Sequence, residues 1–325
     1  MSILMCKNVP VYDIDNHKVL CNNLLPGYMQ VYSQDRNAFK TWLKLRYSSN
    51  TNSLARQLKG ITFGQGNRVT INRETHAFSL SDCYWIKESN DTRTFEQLSP
   101  YYVDFWKGTG VYTGGAIPTL YVPGYISKQW INSSVLCKYG SETFIEAECS
   151  RVCRLCGIQA ARVEIDKANN CVQVYNITSD RVMLEQADQS GRVDPDEFDE
   201  ETIVGLFGFK GMQMILMDAI FGNGDRHAGN FGWLRDSNTG AYLDMAPLYD
   251  FDHALDSKAE RDRLIADAVK TILRHPEYRD EAIRIAAIVV KVNTINIFRV
   301  RANTVLNSII TVSYTHLRAH ETRRH

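Results

Sequence analysis

The sequence has no excess charge of either sign. Its 37 lysines and arginines are balanced by 37 aspartates and glutamates. A chain without net positive charge is not built to coat a nucleic-acid backbone, which takes clustered cations, so direct nucleic-acid binding is not expected. It also lacks a long apolar run. The most apolar stretch, Ile285–Val290, is bounded by Arg284 and Lys291 and falls far short of the ~20 residues that span a bilayer. Met1–Pro10 has no targeting-type apolar region, so no membrane association and a cytoplasmic location are expected. No internal repeat is visible.

Eight cysteines are scattered at Cys6, Cys21, Cys83, Cys137, Cys149, Cys153, Cys156 and Cys171. Without a secretion signal they read as reduced thiols. Cys149, Cys153 and Cys156 recur at helical spacing, as three metal ligands or three small core residues would. No second ligand pair follows nearby, which favours packing.

Length and composition fit one large domain or two lobes: 325 residues, 44% hydrophobic and 23% charged. Up to about Trp106 the pattern mixes short strands with a helix over Asn37–Tyr47, whose Phe39, Trp42, Leu43 and Tyr47 share a face. Leu54–Leu58 could continue it. The nearby SLARQLKG hints at a helix-turn-helix, but no basic recognition helix follows.

From Lys107 glycines gather at Gly108, Gly110, Gly114, Gly115 and Gly124. Then come a strand over Ser133–Lys138, a helix from a Ser141 cap to Cys156 ended by Gly157, and a hairpin of Ala161–Ile165 and Cys171–Tyr175. Asp188–Asp199 reads as a polar loop. Helices are expected over Glu201–Ile220, Lys258–Arg274 and Glu277–Ile309, with short strands at Phe231–Leu234 and Ala241–Leu243. Thr311–His325 has no apolar period and is read as a non-native tail beyond a helix complete at Ile310. The fold class is α+β, with a strand-rich first half and a helix-rich second half, hence two lobes with a cleft between them.

The densest polar cluster is Gly222–Asn230, GNGDRHAGN, at the end of an apolar helix. A strand, a turn and a second strand then bring the chain to Pro247–Asp252, PLYDFD. Phosphoryl transfer needs a carboxylate to orient the attacking hydroxyl, oxygen ligands for Mg²⁺, and a cation for the phosphates. Asp225 and Asn230 reproduce the kinase D-x-x-x-x-N spacing, and Asp250-Phe251-Asp252 stands where kinases carry D-F-G. An amide oxygen and a carboxylate from two loops suit Mg²⁺. His227 reads as a structural histidine, since this chemistry needs no second base.

These elements resemble the HipA-like serine/threonine kinases. GNGDRHAGN and PLYDFD are similar to their N-x-D-x-H-x-x-N and Y-D motifs. Upstream, PTLYVPGYISKQW (Pro118–Trp130) is similar to their phosphate loop, and VLCKYGSETFIEAECSRVCRLCGI (Val135–Ile158) to their strand-lysine and helix-glutamate segment. The resemblance covers about Gly108–Ile310. It implies a two-lobed protein-kinase-like fold with an N-terminal accessory region over 1–106, an N-lobe over 107–178 and a helical C-lobe over 179–310. By residue, it implies Asp225 as catalytic base, Asn230 and Asp250 as Mg²⁺ ligands, and Lys138 on the α/β-phosphates of ATP. Glu146 would pair with Lys138, in preference to Glu148 or Glu142. Gly124 and Lys128 would serve the phosphate loop, and backbone from Tyr175 to Thr178 would meet adenine. Two departures stand out. Asp252 replaces the glycine of D-F-G, and Tyr125 and Ile126 replace a polar pair in the phosphate loop. The resemblance further implies autophosphorylation, a toxin-like role and a small DNA-binding antitoxin as partner, with the protein substrate unknown. Alternatives with the same residues are a small-molecule phosphotransferase and a silent pseudokinase, the latter disfavoured by the intact Asp225, Asn230, Asp250 and Lys138.

Overall fold

The computed structural model describes residues 2–46, 76–102, 128–140, 143–194, 197–255 and 258–321. Within them the strands are β1 (Ser2–Cys6), β2 (Val9–Asp13), β3 (Lys18–Val19), β4 (Tyr84–Glu88), β5 (Lys128–Asn132), β6 (Val135–Tyr139), β7 (Val163–Asp166), β8 (Cys171–Tyr175), β9 (Val182–Gln186), β10 (Gly232–Asp236) and β11 (Tyr242–Met245). The helices are α1 (Gly27–Val31), α2 (Ala38–Arg46), α3 (Phe95–Leu98), α4 (Phe144–Leu155), α5 (Glu200–Phe207), α6 (Phe209–Phe221), α7 (Lys258–Arg274), α8 (Arg279–Lys291) and α9 (Asn296–Glu321). The expected α+β class is what forms. Gly124, the other glycines of the 107–124 stretch, the SLARQLKG segment, Ser141 and Glu142 lie outside the described residues.

The chain divides into two compact units, the first comprising Met1–Ser141, Glu164–Pro195 and Ala228–Ala246. Among the described residues it holds three sheets, ordered β3-β2-β1-β4, β5-β6-β8-β7 and β11-β10-β9. In the first sheet Leu4 lies opposite Ile86 and Tyr12, and these side chains are buried with Phe78, Trp85 and Phe95. Helix α2 closes this core with Phe39, Trp42 and Leu43, as its sequence pattern predicts.

A buried ion pair knits the first ninety residues to the β9–β10–β11 sheet. Arg235 Nη1 lies 2.5 Å from Glu185 Oε2 and donates to the Leu25 carbonyl at 3.0 Å. Its Nε and Nη2 reach the Gly240 carbonyl. Glu185 also accepts from the Gly27 amide at 2.8 Å and from the Tyr242 hydroxyl. A buried charge pair is tolerated only when its remaining donors and lone pairs are satisfied in this way.

The second unit comprises Glu142–Val163, Asp196–His227 and Pro247–His325. It is built from α4 to α9, with α6 at its centre packed by α5, α7 and α9. Helix α6 is predominantly apolar, and Met212, Met214, Leu216, Met217, Ile220 and Phe221 are all buried, as a central helix requires.

Several helices differ from their sequence expectation. The run Glu201–Ile220 is two helices, broken at Gly208, whose φ of 56° and ψ of −130° suit glycine alone. The run Glu277–Ile309 is also broken. Val292 leaves α8 in an extended conformation, and α9 begins at Asn296. The β-branched and short polar residues Val292, Asn293 and Thr294 explain the gap, because each favours non-helical backbone. Helix α9 does not stop at Ile310 but runs to Glu321, in a segment without a glycine or proline to end it. Strand β9 was not expected. It has too little alternation to read as a strand and is fixed by its pairing with β10. Among the described residues, no helix is long and apolar enough to cross a membrane.

Candidate active site

Helix α6 ends at Gly222, which takes the left-handed conformation (φ 68°, ψ 41°) and returns its amide to the Asp218 carbonyl at 2.8 Å. A side chain at Gly222 would also meet Arg261 at 2.8 Å. Arg301 of α9 reaches the same helix end and donates to the Ile220 carbonyl at 3.0 Å and to that of Ala219. Burial pushes its pKa down to about 10. The loop carrying Asp225 therefore departs from a rigid, capped platform.

Within that loop Arg226 turns inward and Asp225 outward. The Arg226 guanidinium grips Asp218 with two bonds, Nε to Oδ2 at 2.9 Å and Nη2 to Oδ1 at 2.8 Å. Its Nη1 donates to the Tyr249 carbonyl at 2.8 Å, and its plane lies 5.1 Å from the Phe251 ring centroid. Burial lowers the Arg226 pKa, but the carboxylate of Asp218 outweighs it, so the guanidinium stays charged. Asn223 completes the lock by donating to Asp218 at 2.9 Å.

Asp225 keeps 46% of its side chain exposed. Two imidazoles flank it in the same unit. His253 Nε2 is 3.8 Å and His227 Nε2 is 4.0 Å from Asp225 Oδ2. His227 is an exposed neighbour of the carboxylate. A tight turn, with the His227 amide donating to the Asp225 carbonyl, projects it outward.

Asp250 is half-buried and has a left-handed backbone, with φ of 60°. That conformation is uncommon outside glycine, although aspartate tolerates it. The segment before it is fixed by Leu248, which bridges to Ala160 and exchanges hydrogen bonds with Gln159 and Ala161. Helix α4 begins after Thr143 and places Glu146 in a buried position, 1% exposed. Glu148 is committed elsewhere, accepting from Arg151 at 2.7 Å and from Thr294 at 2.5 Å. Cys149, Cys153 and Cys156 line the buried side of this helix, and burial holds all three thiols above their ordinary pKa.

The remaining residues belong to the first unit. Lys138 of β6 lies opposite Lys128 of β5 in register and is only 3% exposed. A lysine that deep is more constrained than an edge-strand lysine, whose head group stays in water. Asn230 is buried and sits on a stretch tethered to the end of β9. The Gln186 side chain donates to the Gly229 carbonyl at 2.5 Å, the Asp188 amide to that of Ala228 at 3.1 Å, and the Ala187 amide to that of Phe231 at 2.9 Å. Tyr175 bonds Glu164 at 3.0 Å. Thr178 turns toward the N-terminal region, donating to the Leu80 carbonyl at 2.5 Å beside the Tyr101 hydroxyl at 3.1 Å. Its amide is taken by Asn176. Tyr125 and Ile126 lie outside the described residues.

The second unit thus assembles Asp225, His227, His253, Arg226 and the Asp250 segment, while Lys138, Lys128, Asn230, Tyr175 and Thr178 are carried by the first. Sequence reasoning did not single out Asp218, Arg226, His253 or Gln186. One signal was there. Asp218 is the lone charge within the apolar run Met212–Phe221, and a buried carboxylate demands a partner nearby. Taken singly, the Asn230 amide oxygen in the first unit and the Asp250 carboxylate in the second are each hard oxygen donors of the kind Mg²⁺ takes.

No protein-family model and no curated protein sequence matches the chain. Among solved structures, the proinflammatory kinase CtkA of Helicobacter pylori is matched over 60% of this chain and 94% of its own, at TM-score 0.37 and 16% identity. HipA of Shewanella oneidensis MR-1, from a toxin–antitoxin complex with HipB and operator DNA, is matched over 95% of this chain and 96% of its own. The TM-score there is 0.53 and the identity 12%. The match to HipA spans nearly the whole of both chains, and the chain carries the fold of the HipA-like kinases.

Proposed function

We propose that this chain is an ATP- and Mg²⁺-dependent phosphotransferase that acts on serine or threonine hydroxyls of protein. The observation that carries the reading is the exposed Asp225 carboxylate on the loop that ends a largely buried helix, next in sequence to an Arg226 guanidinium locked onto Asp218, in a chain with a HipA-like kinase fold. Asp225 accepts a hydrogen bond from the attacking hydroxyl and orients its oxygen. Lys138 positions the α/β-phosphates, with Glu146 as its counter-charge. Asn230 and Asp250 hold Mg²⁺, which when bound neutralises charge on the β- and γ-phosphates. Gly124 and Lys128 serve the phosphate loop, and backbone from Tyr175 to Thr178 meets adenine. The setting is cytoplasmic. By analogy with HipA, which was solved with HipB and operator DNA, a small DNA-binding protein is the proposed partner.

Two measurements test this. Calorimetric titration with ATP should give binding that strengthens with Mg²⁺. Transfer of radiolabel from γ-labelled ATP should go to the chain itself or to a protein acceptor rather than to a panel of small hydroxyl compounds. Flat titrations with and without Mg²⁺ on folded protein would remove the nucleotide from the account. Label appearing only in the small-molecule arm would replace the protein-kinase reading with the other phosphotransferase.

A further inference from the structure

Asp225 and Asp250 reach their positions from two separate loops, and neither loop is regular secondary structure. Asp250 also holds φ at 60°, so the orientation of the peptide plane preceding it matters to where its carboxylate points. The carbonyl of that plane belongs to Tyr249, and Arg226 Nη1 donates to it at 2.8 Å. Arg226 is the residue next to Asp225. The same guanidinium is fixed from behind by two bonds to Asp218 and lies over Phe251, the residue next to Asp250. Phe251 is packed in turn edge-on to Phe221 at 5.3 Å, the last residue of α6. One planar, nearly buried group therefore touches the chain immediately beside each carboxylate and anchors both to one helix.

We propose that Arg226 is a positioning residue that sets Asp225 and Asp250 in a fixed mutual relation, using Asp218 as its brace. This rests on the phosphotransferase reading for the roles of the two carboxylates, but the mechanical coupling stands apart from it. A guanidinium is suited to the task because its rigid fork serves a carboxylate bidentately and still offers a donor in a third direction. Lysine keeps the charge but cannot satisfy Asp218 and Tyr249 in that geometry.

Three variants separate positioning from bulk stability. Arg226→Lys keeps a cation beside Asp218. The double variant Asp218→Asn with Arg226→Ala removes the buried charges together, so that the fold is not burdened by an unpaired carboxylate. Arg226→Ala alone leaves a space that added methylguanidinium can enter. Deuterium exchange on the full chain should show peptides over 222–227 and 249–255 exchanging faster together, by about tenfold or more, in Arg226→Lys and in the double variant. The α6 peptide over 212–220 should be unchanged. In the transfer assay Arg226→Ala should lose about 10²-fold in kcat, the scale on which misplacement of reacting groups acts, and methylguanidinium should restore part of it. Asp225→Asn should show no such rescue. Acceleration confined to 222–227, or an unrescued loss in Arg226→Ala, would overturn the proposal. A wild-type chain that transfers no phosphate would defeat the phosphotransferase reading, and the exchange result would then decide the coupling by itself.

Discussion

Replacing Arg235 with methionine removes a heavily bonded buried charge of the first unit. Its guanidinium serves Glu185, the carbonyls of Leu25 and Gly240, and more distantly Asn23 at 3.3 Å. Arg235 and Glu185 are 1% and 7% exposed, so solvent cannot take over for the lost partner. Breaking a buried pair from one side costs about 3–5 kcal/mol, chiefly because the other charge is stranded. Glu185 keeps the Gly27 amide and the Tyr242 hydroxyl, which places the loss near the lower end, about 3–4 kcal/mol. At about 2.1 cal/mol/K of unfolding entropy per residue, a chain of 325 residues shifts by about 1.5 °C for each kcal/mol, so a fall in Tm of roughly 5 °C is expected. Arg235→Met combined with Glu185→Met removes the stranded carboxylate and should recover about half of it, leaving the double variant far more stable than the sum of the two single losses predicts. Scanning calorimetry on the wild type, both single variants and the double variant closes the cycle. A fall below about 2 °C for Arg235→Met, or a double variant as unstable as the sum of the singles, would refute the view that this pair joins the first ninety residues to the β9–β10–β11 sheet.

Other expectations follow from single groups. Burial pushes Asp188 up to about 6 from 3.8. A carboxylate raised in this way contributes stability that is full below the unfolded pKa near 4 and is lost as pH climbs through 6. Asp188→Asn should therefore flatten the stability profile between pH 4 and 6 and gain on the order of 2 kcal/mol at pH 7. Unchanged denaturation midpoints at pH 7 would contradict it. Seven of the eight thiols are buried and Cys21 is half-buried, so one thiol should react rapidly with a disulfide reagent in the native state and eight after denaturation. Prompt reaction of three or more would contradict the packing described. Gly222→Ala forces a Cβ onto a left-handed residue against Arg261 and should cost about 1–2 kcal/mol, read as a shift in denaturant midpoint without a change in slope.

The parts of the fold written in local periodicity were legible in the sequence. Helix α2 showed its Phe39–Trp42–Leu43 face, the apolar run of α6 announced a buried helix, and α7 had the bounds expected of it, Lys258–Arg274. What depended on partners far along the chain was not legible. Strand β9 exists because β10 pairs with it, and the left-handed Gly208 looked like any helix glycine. At the candidate site, the spacing of Asp225 and Asn230 and the return at Asp250 were visible because those residues are fixed by loop length. The Arg226–Asp218 lock and the approach of His253 to Asp225 were not visible, since they arise where α6, the loop after it and the segment after β11 converge. The depth of Lys138 was also missed. A lysine on a short strand reads as exposed, and only the sheet around β6 buries it.

The central claim is that Asp225 acts on the acceptor hydroxyl and not on the nucleotide. Asp225→Asn tests it most directly, because asparagine is nearly isosteric and leaves the Arg226 lock and the Gly222 cap in place, yet cannot take a proton. Label transfer from γ-labelled ATP and calorimetric ATP titration, made on the same preparation, should diverge. Transfer should fall by about 10²–10⁴-fold, while the Mg²⁺-dependent affinity for ATP stays within about threefold of the wild type. Near-normal transfer by Asp225→Asn, or loss of ATP binding in parallel with transfer, would contradict the account.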